Sequence, residues 1–182
     1  MLRIISGKYR SRKIEQPDLE FTRPTTDRIR EAIFSSIRQN IENKIILDLF
    51  SGSGAISFEA ISNYCMKAIA VDNNNNAINI IKKNASILKA NNIDIVKMDA
   101  LQYLQNSTGR KFDYIFLDPP YDQYELLNNA LQQIKINKYL NKNGLIIVET
   151  NDKSKIKIPD KFLIQKEKQY GKIFILFISK NN

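Results

Sequence analysis

The sequence lacks several side chains on which enzymes and metal sites commonly depend. Its 182 residues include no histidine and a single cysteine, Cys65. Without histidine, the chain cannot perform Ser–His or Cys–His catalysis, and most kinds of zinc site are excluded. One cysteine cannot form a disulfide within the chain, so Cys65 is interpreted as an incidental thiol. We therefore expect no metal, and any chemistry must depend on carboxylates, lysines, tyrosines, backbone groups or a cofactor.

Long apolar segments are also missing. No apolar run approaches the roughly 18–20 residues that span a bilayer, and the N-terminus lacks the apolar stretch of a secretion signal. The sequence therefore predicts a cytoplasmic protein with no membrane association. A chain of 182 residues, of which 43% are hydrophobic, suffices for one globular core and a short appendage, and we expect a monomer.

Positive charge is in excess. Lys and Arg number 28 against 19 Asp and Glu, which gives a net charge of +9. Residues 1–13 contain no acid and five cations, namely Arg3, Lys8, Arg10, Arg12 and Lys13. Clustered cations attract polyanions through salt-sensitive electrostatics, although charge alone does not identify the partner.

The spacing of apolar residues predicts an α/β fold. Residues 1–20 have the pattern of a small β-hairpin, with a turn signal at 6–8, and helical spacing follows over 29–37. From residue 44 onward, short apolar strands alternate with amphipathic helices, which predicts a parallel sheet with helices on both faces. The fifth of these strands is predicted over Leu145–Glu149, and the chain closes with two extended segments, 161–169 and 172–179.

This ending is typical of the Rossmann-like class I fold of methyltransferases that use S-adenosylmethionine (SAM). We expect a mostly parallel seven-stranded sheet with an antiparallel C-terminal strand, plus the small N-terminal β-hairpin and helix. The predicted organisation is a basic hairpin and helix over residues 1–40 and a SAM-dependent methyltransferase domain over residues 41–182.

Several predicted strand ends carry residues suited to a ligand, and ligands of open α/β sheets bind beyond the carboxyl ends of the strands. The segment Asp48–Gly54 forms a glycine turn that lets the backbone approach a ligand, although Gly-x-Gly alone also fits a plain turn. Asp72 ends the second strand and can accept hydrogen bonds from ribose hydroxyls. Asp99 follows the third strand and can accept one from an adenine amine. Asp72 and Asp99 would also serve as ordinary helix caps.

Three acidic strand ends together favour SAM, which offers a ribose, an adenine, an amino acid moiety and a sulfonium cation but no phosphate. A pyrophosphate would instead prefer an uncluttered helix N-terminus. The predicted cofactor-binding residues at these strand ends are Asp48, Phe50, Ser51, Gly52, Gly54, Asp72, Asn73, Asp99 and Ala100.

The fourth strand end carries the motif Asp118-Pro119-Pro120-Tyr121. An exocyclic amine of a nucleic-acid base is a poor nucleophile because its lone pair is delocalised into the ring. The Asp118 carboxylate and the Pro119 carbonyl can accept its two N–H groups, and the prolines fix the backbone that presents this carbonyl. Tyr121 offers a surface on which a flipped-out base can stack. The motif therefore predicts methylation of a base amine, with these four residues in the catalytic site.

Four segments resemble the bacterial 16S ribosomal RNA (guanine-N2)-methyltransferase family, and the resemblance covers nearly the whole chain. The segments are Arg3–Tyr9, Thr22–Phe34, Leu47–Gly54 and Phe116–Tyr121. The second segment, with its Arg-Pro-Thr sequence at residues 23–25, is the specific one. The motif at residues 118–121 is shared with other amino-methyltransferases.

The resemblance implies SAM as methyl donor, S-adenosylhomocysteine as product, and the N2 amine of one guanine in 16S rRNA as target. It implies a small ribosomal subunit particle as the partner, with RNA contacts through the cations of the N-terminal hairpin. It also places Arg23, Thr25 and Asp27 near the SAM pocket and the entering base.

Three other functions remain open at this point. A DNA or RNA adenine-N6 methyltransferase would use the same tetrapeptide, but the DNA enzymes generally add a sizeable recognition region, and about 43 residues precede the first core strand here. A protein glutamine methyltransferase usually has Asn in place of Asp118. An NAD enzyme or nucleotide-binding module would explain Gly52 and Asp72 but not the motif at residues 118–121.

Overall fold

A computed structural model describes residues 1–17, 27–120 and 122–181 of the chain. In these ranges, strands and helices alternate from residue 45 to residue 150, as the sequence predicts. The helices are α1 (Asp27–Ile37), α2 (Ala55–Ser62), α3 (Asn75–Leu88), α4 (Ala100–Asn106) and α5 (Tyr124–Ile136). The strands are β1 (Leu2–Arg3), β2 (Lys13–Ile14), β3 (Ile45–Asp48), β4 (Lys67–Asp72), β5 (Ile93–Lys97), β6 (Phe112–Leu117), β7 (Leu140–Thr150), β8 (Phe162–Tyr170) and β9 (Ile173–Lys180).

The central sheet has seven strands in the order β5-β4-β3-β6-β7-β9-β8. The pairs from β5 to β7 are parallel, whereas β9 lies antiparallel between β7 and β8. This topology confirms the predicted class I fold with its antiparallel C-terminal strand. The chain moves outward from β3 to β5 and then returns to β6, so the order of the strands reverses between β3 and β6. That reversal is the point at which open α/β sheets bind their ligands.

Two apolar layers enclose the sheet. On one face, α1, α2, α3 and the N-terminal hairpin pack against side chains such as Ile46, Phe116 and Ile147. On the other face, α4 and α5 pack against Leu47, Ile115 and neighbouring residues. The central residues of β9 are buried, as expected for a nearly continuous apolar strand covered on both faces.

The N-terminal hairpin is fastened to α2 by a buried carboxylate. Glu59 accepts hydrogen bonds from the backbone N–H groups of Ile5 and Ser6, at 2.9 and 2.8 Å. Gly7 lies so close to α2 that a Cβ atom there would come within 1.9 Å of the Ser62 carbonyl oxygen. Ile4 and Ile14 complete the attachment, since both are buried in the same apolar layer as the sheet.

Two elements differ from the sequence-based expectation. The hairpin strands are only two residues long, and a 3-10 turn over Gly7–Tyr9 connects them. Strand β7 begins at Leu140, five residues before the predicted start at Leu145, because Leu140 pairs with Phe112 across a register shift. Among the described residues, no helix combines the length and apolar character needed to cross a membrane.

Candidate active site

A cleft of about 1150 Å³ opens at the carboxyl edge of the sheet, at the point where the strand order reverses. It has two parts. The glycine-turn half lies over the ends of β3, β4 and β5 and is lined by residues that include Phe50–Ser53, Asp72–Asn74 and Met98–Ala100. The β6–β7 half lies beneath α1 and is lined by residues that include Ile33, Phe116–Pro120, Ile147 and Glu149.

The glycine-turn half is held together by the Asp72 carboxylate. One oxygen accepts the backbone N–H of Gly52 at 2.8 Å, and the other accepts that of Asn74 at 2.8 Å. Asp72 thus fixes the turn after β3 against the start of α3, whose N-cap is the side chain of Asn74. Asp72 lines the cleft, where a diol could add further hydrogen bonds.

The two glycines of the turn have different surroundings. A Cβ atom at Gly52 would meet nothing within 4 Å, so its backbone is open to a ligand. Gly54 does not line the cleft; it has a φ of +76°, and a Cβ atom there would come within 2.8 Å of the Phe58 ring. Gly54 therefore starts α2 in a left-handed conformation and lets the helix pack closely, while its contact with a cofactor stays a prediction.

Asp48 is the most deeply buried acid of the cleft, with 4% of its surface exposed. One carboxylate oxygen accepts both the backbone N–H and the hydroxyl of Ser57, at 3.2 and 2.7 Å. The pKa of Asp48 is raised to about 7, chiefly by burial; the hydrogen bonds from Ser57 oppose this shift, and the nearby charges of Asp118 and Asp72 contribute to it. The three carboxylates thus face a common space, in which a cation would relieve their mutual repulsion.

The third predicted strand end combines a helix cap with a cleft residue. Asp99 accepts the backbone N–H groups of Leu101 and Gln102, and both bonds end on the same oxygen, Oδ1. Asp99 is exposed, and it lines the cleft together with Ala100. The capping alternative is thus observed for Asp99, and the same carboxylate is also placed to meet a ligand.

The β6–β7 half is mostly apolar. The Phe34 ring of α1 stacks on Phe116 of β6, with ring centroids 6.2 Å apart. Ile33 and Ile147 add aliphatic surface. Within this apolar surround, Asp118 and the two following prolines line the cleft directly after the end of β6. Hydrogen-bond acceptors in such a poorly solvated space are stronger than the same groups in water.

Sequence reasoning missed one acid of this half, Glu149. It lies near the end of β7, lines the cleft and is 7% exposed. The acids predicted as ligand contacts lie only at the ends of β3 to β6. The end of β7, the next strand in the sheet after the one that precedes Asp118, is the signal that could have indicated Glu149.

Three predicted site residues lie outside the described ranges: Tyr121, Arg23 and Thr25. The other predicted catalytic and cofactor residues, Gly54 excepted, are brought together in one cleft. Asp27 does not line this cleft; it begins α1 and forms an ion pair with Arg30 at 2.6 Å. The described residues contain no group of three or more His, Cys, Asp or Glu side chains arranged to hold a metal ion.

The predicted RNA-binding cations lie on the surface beside the cleft and not inside it. Arg12 donates a hydrogen bond to the carbonyl of Ile87 at the end of α3. Lys8 and Arg12 both lie over the ring of Tyr9: the Lys8 Nζ atom is 4.9 Å and the Arg12 Cζ atom 5.6 Å from the ring centroid. All five cations, including Arg3, Arg10 and Lys13, are exposed. The hairpin reaches the cleft through Leu2, and the segment that follows it does so through Gln16 and Pro17.

Comparisons with known proteins agree with this architecture. The family model described as Conserved hypothetical protein 95 matches residues 2–179. Ribosomal RNA small subunit methyltransferase D of Escherichia coli K12 is 33% identical over 173 residues, which cover 94% of this chain and 86% of that protein. The protein of the same name from Buchnera aphidicola subsp. Acyrthosiphon pisum is 33% identical over 165 residues, covering 91% and 86%.

Solved structures show the same similarity. A putative methyltransferase of Escherichia coli superposes with a TM-score of 0.88 at 31% identity, covering 98% of this chain and 97% of that one. A putative methylase of Haemophilus influenzae gives a TM-score of 0.81 at 30% identity, covering 99% and 98%. The fold and the cleft thus define a class I methyltransferase. More narrowly, the chain belongs to the Conserved hypothetical protein 95 family. Its similarity to the small-subunit methyltransferases D confirms the resemblance found in its four segments.

Proposed function

We propose that this protein transfers a methyl group from SAM to the exocyclic N2 amine of one guanine in the 16S rRNA of the small ribosomal subunit. The observation that carries the proposal is the position of Asp118 and Pro119, which line the same cleft as the carboxylates of Asp48 and Asp72. The names of the relatives support rRNA of the small subunit as the substrate.

The glycine-turn half fits SAM by the chemistry of its donors and acceptors. Asp72 is placed for the ribose hydroxyls and Asp99 for the adenine amine, while the buried carboxylate of Asp48 suits the cationic amino acid moiety. Bound SAM supplies a methyl group on a sulfonium, which makes that methyl electrophilic. The backbone at Gly52 leaves room for SAM to approach closely. Because SAM has no phosphate, the site does not need a helix N-terminus to bind one.

The β6–β7 half fits a base amine. Asp118 and the Pro119 carbonyl accept its N–H groups, which favours electron density on nitrogen as the new bond to carbon replaces the carbon–sulfur bond. Asp118 then takes up the proton that the methylated nitrogen releases. The two prolines restrict the backbone, so this carbonyl is held in place before the base arrives. Tyr121 completes the proposed catalytic set as the stacking surface. The chain contributes mainly orientation and electrostatics.

The base must leave its helix to enter this cleft, and the apolar surfaces of Phe116 and Ile147 compensate for part of its lost stacking. We assign residues 1–40 to RNA contact and residues 41–182 to the methyltransferase domain. Arg23 and Thr25 are proposed to lie at the junction of the two ligands. The protein acts in the cytoplasm as a monomer on a small-subunit particle.

Incubation with labelled SAM and small subunits that lack the modification, followed by mass mapping of the RNA, tests this function. We expect label on the N2 of a single guanine, and free 16S rRNA in parallel shows whether the assembled particle is required. Asp118→Ala should abolish most of the label, whereas Asp160→Ala, at a carboxylate whose side chain is 95% exposed, should leave it unchanged. Label on an adenine N6 or on a protein glutamine would overturn the assignment.

A further inference from the structure

Glu149 is a buried carboxylate in the β6–β7 half for which the proposed methyl transfer has no use. Only 7% of its surface is exposed, and it lines the cleft alongside Ile147 and the 118–120 segment. Glu149 therefore faces the same space as the Asp118–Pro120 segment, where a ligand that enters this half would meet it.

The sheet register places Glu149 beside Asp118. Leu117 of β6 pairs with Val148 of β7, so residues 118 and 149 follow as the next positions of neighbouring strands. Neighbouring strands lie about 4.8 Å apart, which brings both residues within reach of one base edge. Side chains alternate along a strand, so Glu149 projects to the same face as Ile147, toward α1 and the apolar layer that includes Phe116.

The amines of guanine and adenine have different neighbours, and a carboxylate distinguishes them. Beside the N2 amine of guanine lies N1–H, which is a hydrogen-bond donor. Beside the N6 amine of adenine lies N1 with a lone pair, which is an acceptor. An ionised carboxylate can only accept, so it attracts the first base edge and repels the second. Residues 118–121, which are proposed to bind the amine, cannot make this distinction, because both bases present an amine.

We propose that Glu149 accepts a hydrogen bond from N1–H of the target base and thereby makes the enzyme specific for guanine. The inference rests on the proposed guanine-N2 function and adds the residue that selects the base. Asp118 and Pro119 accept the N–H groups of the amine that reacts, and Glu149 binds the neighbouring N1–H. Desolvated polar groups of this kind reject substrates that leave them unpaired.

The test uses 2-aminopurine, which keeps the exocyclic amine of guanine but has a lone pair in place of N1–H. Once the modified guanine has been mapped, 16S rRNA carrying guanine or 2-aminopurine at that position is made by splinted ligation and assembled into small subunits. For the wild-type protein, we expect kcat/KM to be roughly 10–100-fold higher with guanine than with 2-aminopurine. Equal rates on the two bases would overturn the proposal without any variant.

Glu149→Gln sharpens the test because the new amide can donate to the lone pair of 2-aminopurine. We expect the preference for guanine to fall at least about tenfold, with a loss on guanine and a gain on 2-aminopurine. Glu149→Asp retains a carboxylate and should keep the preference despite a lower rate. If Glu149 has only a structural role, Glu149→Gln should lower kcat/KM equally for guanine and 2-aminopurine and leave the ratio of the two values unchanged. That result would also refute the proposal.

Controls separate this inference from the proposed function. Glu167→Gln makes the same chemical change on β8, a strand whose residues do not line the cleft, and should leave the guanine preference at its wild-type value. Binding of S-adenosylhomocysteine, measured by thermal shift, shows that each variant retains its fold. If the wild-type product on guanine is not N2-methylguanine, the proposed function fails; if it is and the ratio does not respond to Glu149→Gln, only the present inference fails.

Discussion

The two halves of the cleft are built in opposite ways. In the glycine-turn half, each acid also holds the backbone nearby: Asp72 secures the turn after β3, Asp99 caps α4, and Asp48 is bound to Ser57. In the β6–β7 half, apolar side chains from α1, β6 and β7 surround a few acceptors. The first arrangement suits a polar and charged small molecule, and the second suits a flat base whose edge must be recognised.

This contrast separates binding from chemistry. A residue of the glycine-turn half should affect chiefly the affinity for SAM, because we propose that its groups contact the part of SAM that does not react. A residue of the β6–β7 half should affect chiefly turnover or base choice, because we propose that its groups contact the atoms that change. Substitutions in each half can therefore confirm the division or break it.

The largest effect is expected at Asp118. Asp118→Ala removes one of the two acceptors proposed for the reacting amine, so kcat should fall roughly 10²–10³-fold, as for the loss of one preorganised polar partner. Binding of SAM, measured by calorimetry, should stay within about threefold of the wild-type value. Near-normal turnover would argue against the mechanism, and lost SAM binding would show that the halves are not separable.

Asp72 should show the reverse behaviour. Asp72→Ala removes the acceptor of two backbone N–H groups, which is also the proposed acceptor for the ribose. The Kd of SAM should therefore rise roughly 10–100-fold, the effect of losing hydrogen bonds to a charged group. At saturating SAM, the kcat of Asp72→Ala should lie within a few-fold of the wild-type value. A kcat that stays low at saturation would indicate that the turn also positions the methyl group.

The glycine-turn half could be predicted from sequence because its parts are local. Asp48–Gly54, Asp72 and Asp99 each lie within a few residues of a strand end, and the alternation of strands and helices brings those ends to one edge. The same reasoning located Asp118. It could not find Ile33 or Leu2, since their position in the cleft depends on how distant segments pack.

Strand β7 shows the other limit of sequence reasoning. The apolar pattern predicts a strand over Leu145–Glu149, and the preceding residues 141–144, Asn-Lys-Asn-Gly, have a composition typical of a turn. In the structure, pairing of Leu140 with Phe112 extends the strand across these residues. Tertiary pairing thus overrides local preference.

Asp48 gives a pH-dependent test of how strongly the cleft is desolvated. Burial raises its pKa to about 7, so between roughly pH 4 and pH 7 the folded chain holds a proton that the unfolded chain has lost. The contribution of Asp48 to the free energy of unfolding therefore falls as the pH rises through this window and is constant above it.

Asp48→Asn should remove this dependence while keeping an oxygen for Ser57. Relative to the wild type, the variant should gain stability as the pH rises from 5 to 7, by at most about 1.4 kcal/mol per pH unit. Urea denaturation at several pH values without SAM measures it, with Asp160→Asn as the exposed control. Parallel curves for wild type and Asp48→Asn would mean that Asp48 titrates normally.

The smallest effect is expected outside both halves, on the hairpin. Arg10→Gln with Lys13→Gln should weaken RNA binding a few-fold and reduce the slope of log affinity against log salt by about 1.4–1.8, the release of two counterions. Arg12 is left in place because it also fastens the hairpin to α3. Lys155→Gln with Lys157→Gln changes the net charge equally but acts beside Asn128 of α5, on the opposite face. If both pairs reduce the slope alike, only the overall charge matters; if neither does, the hairpin does not contact the RNA.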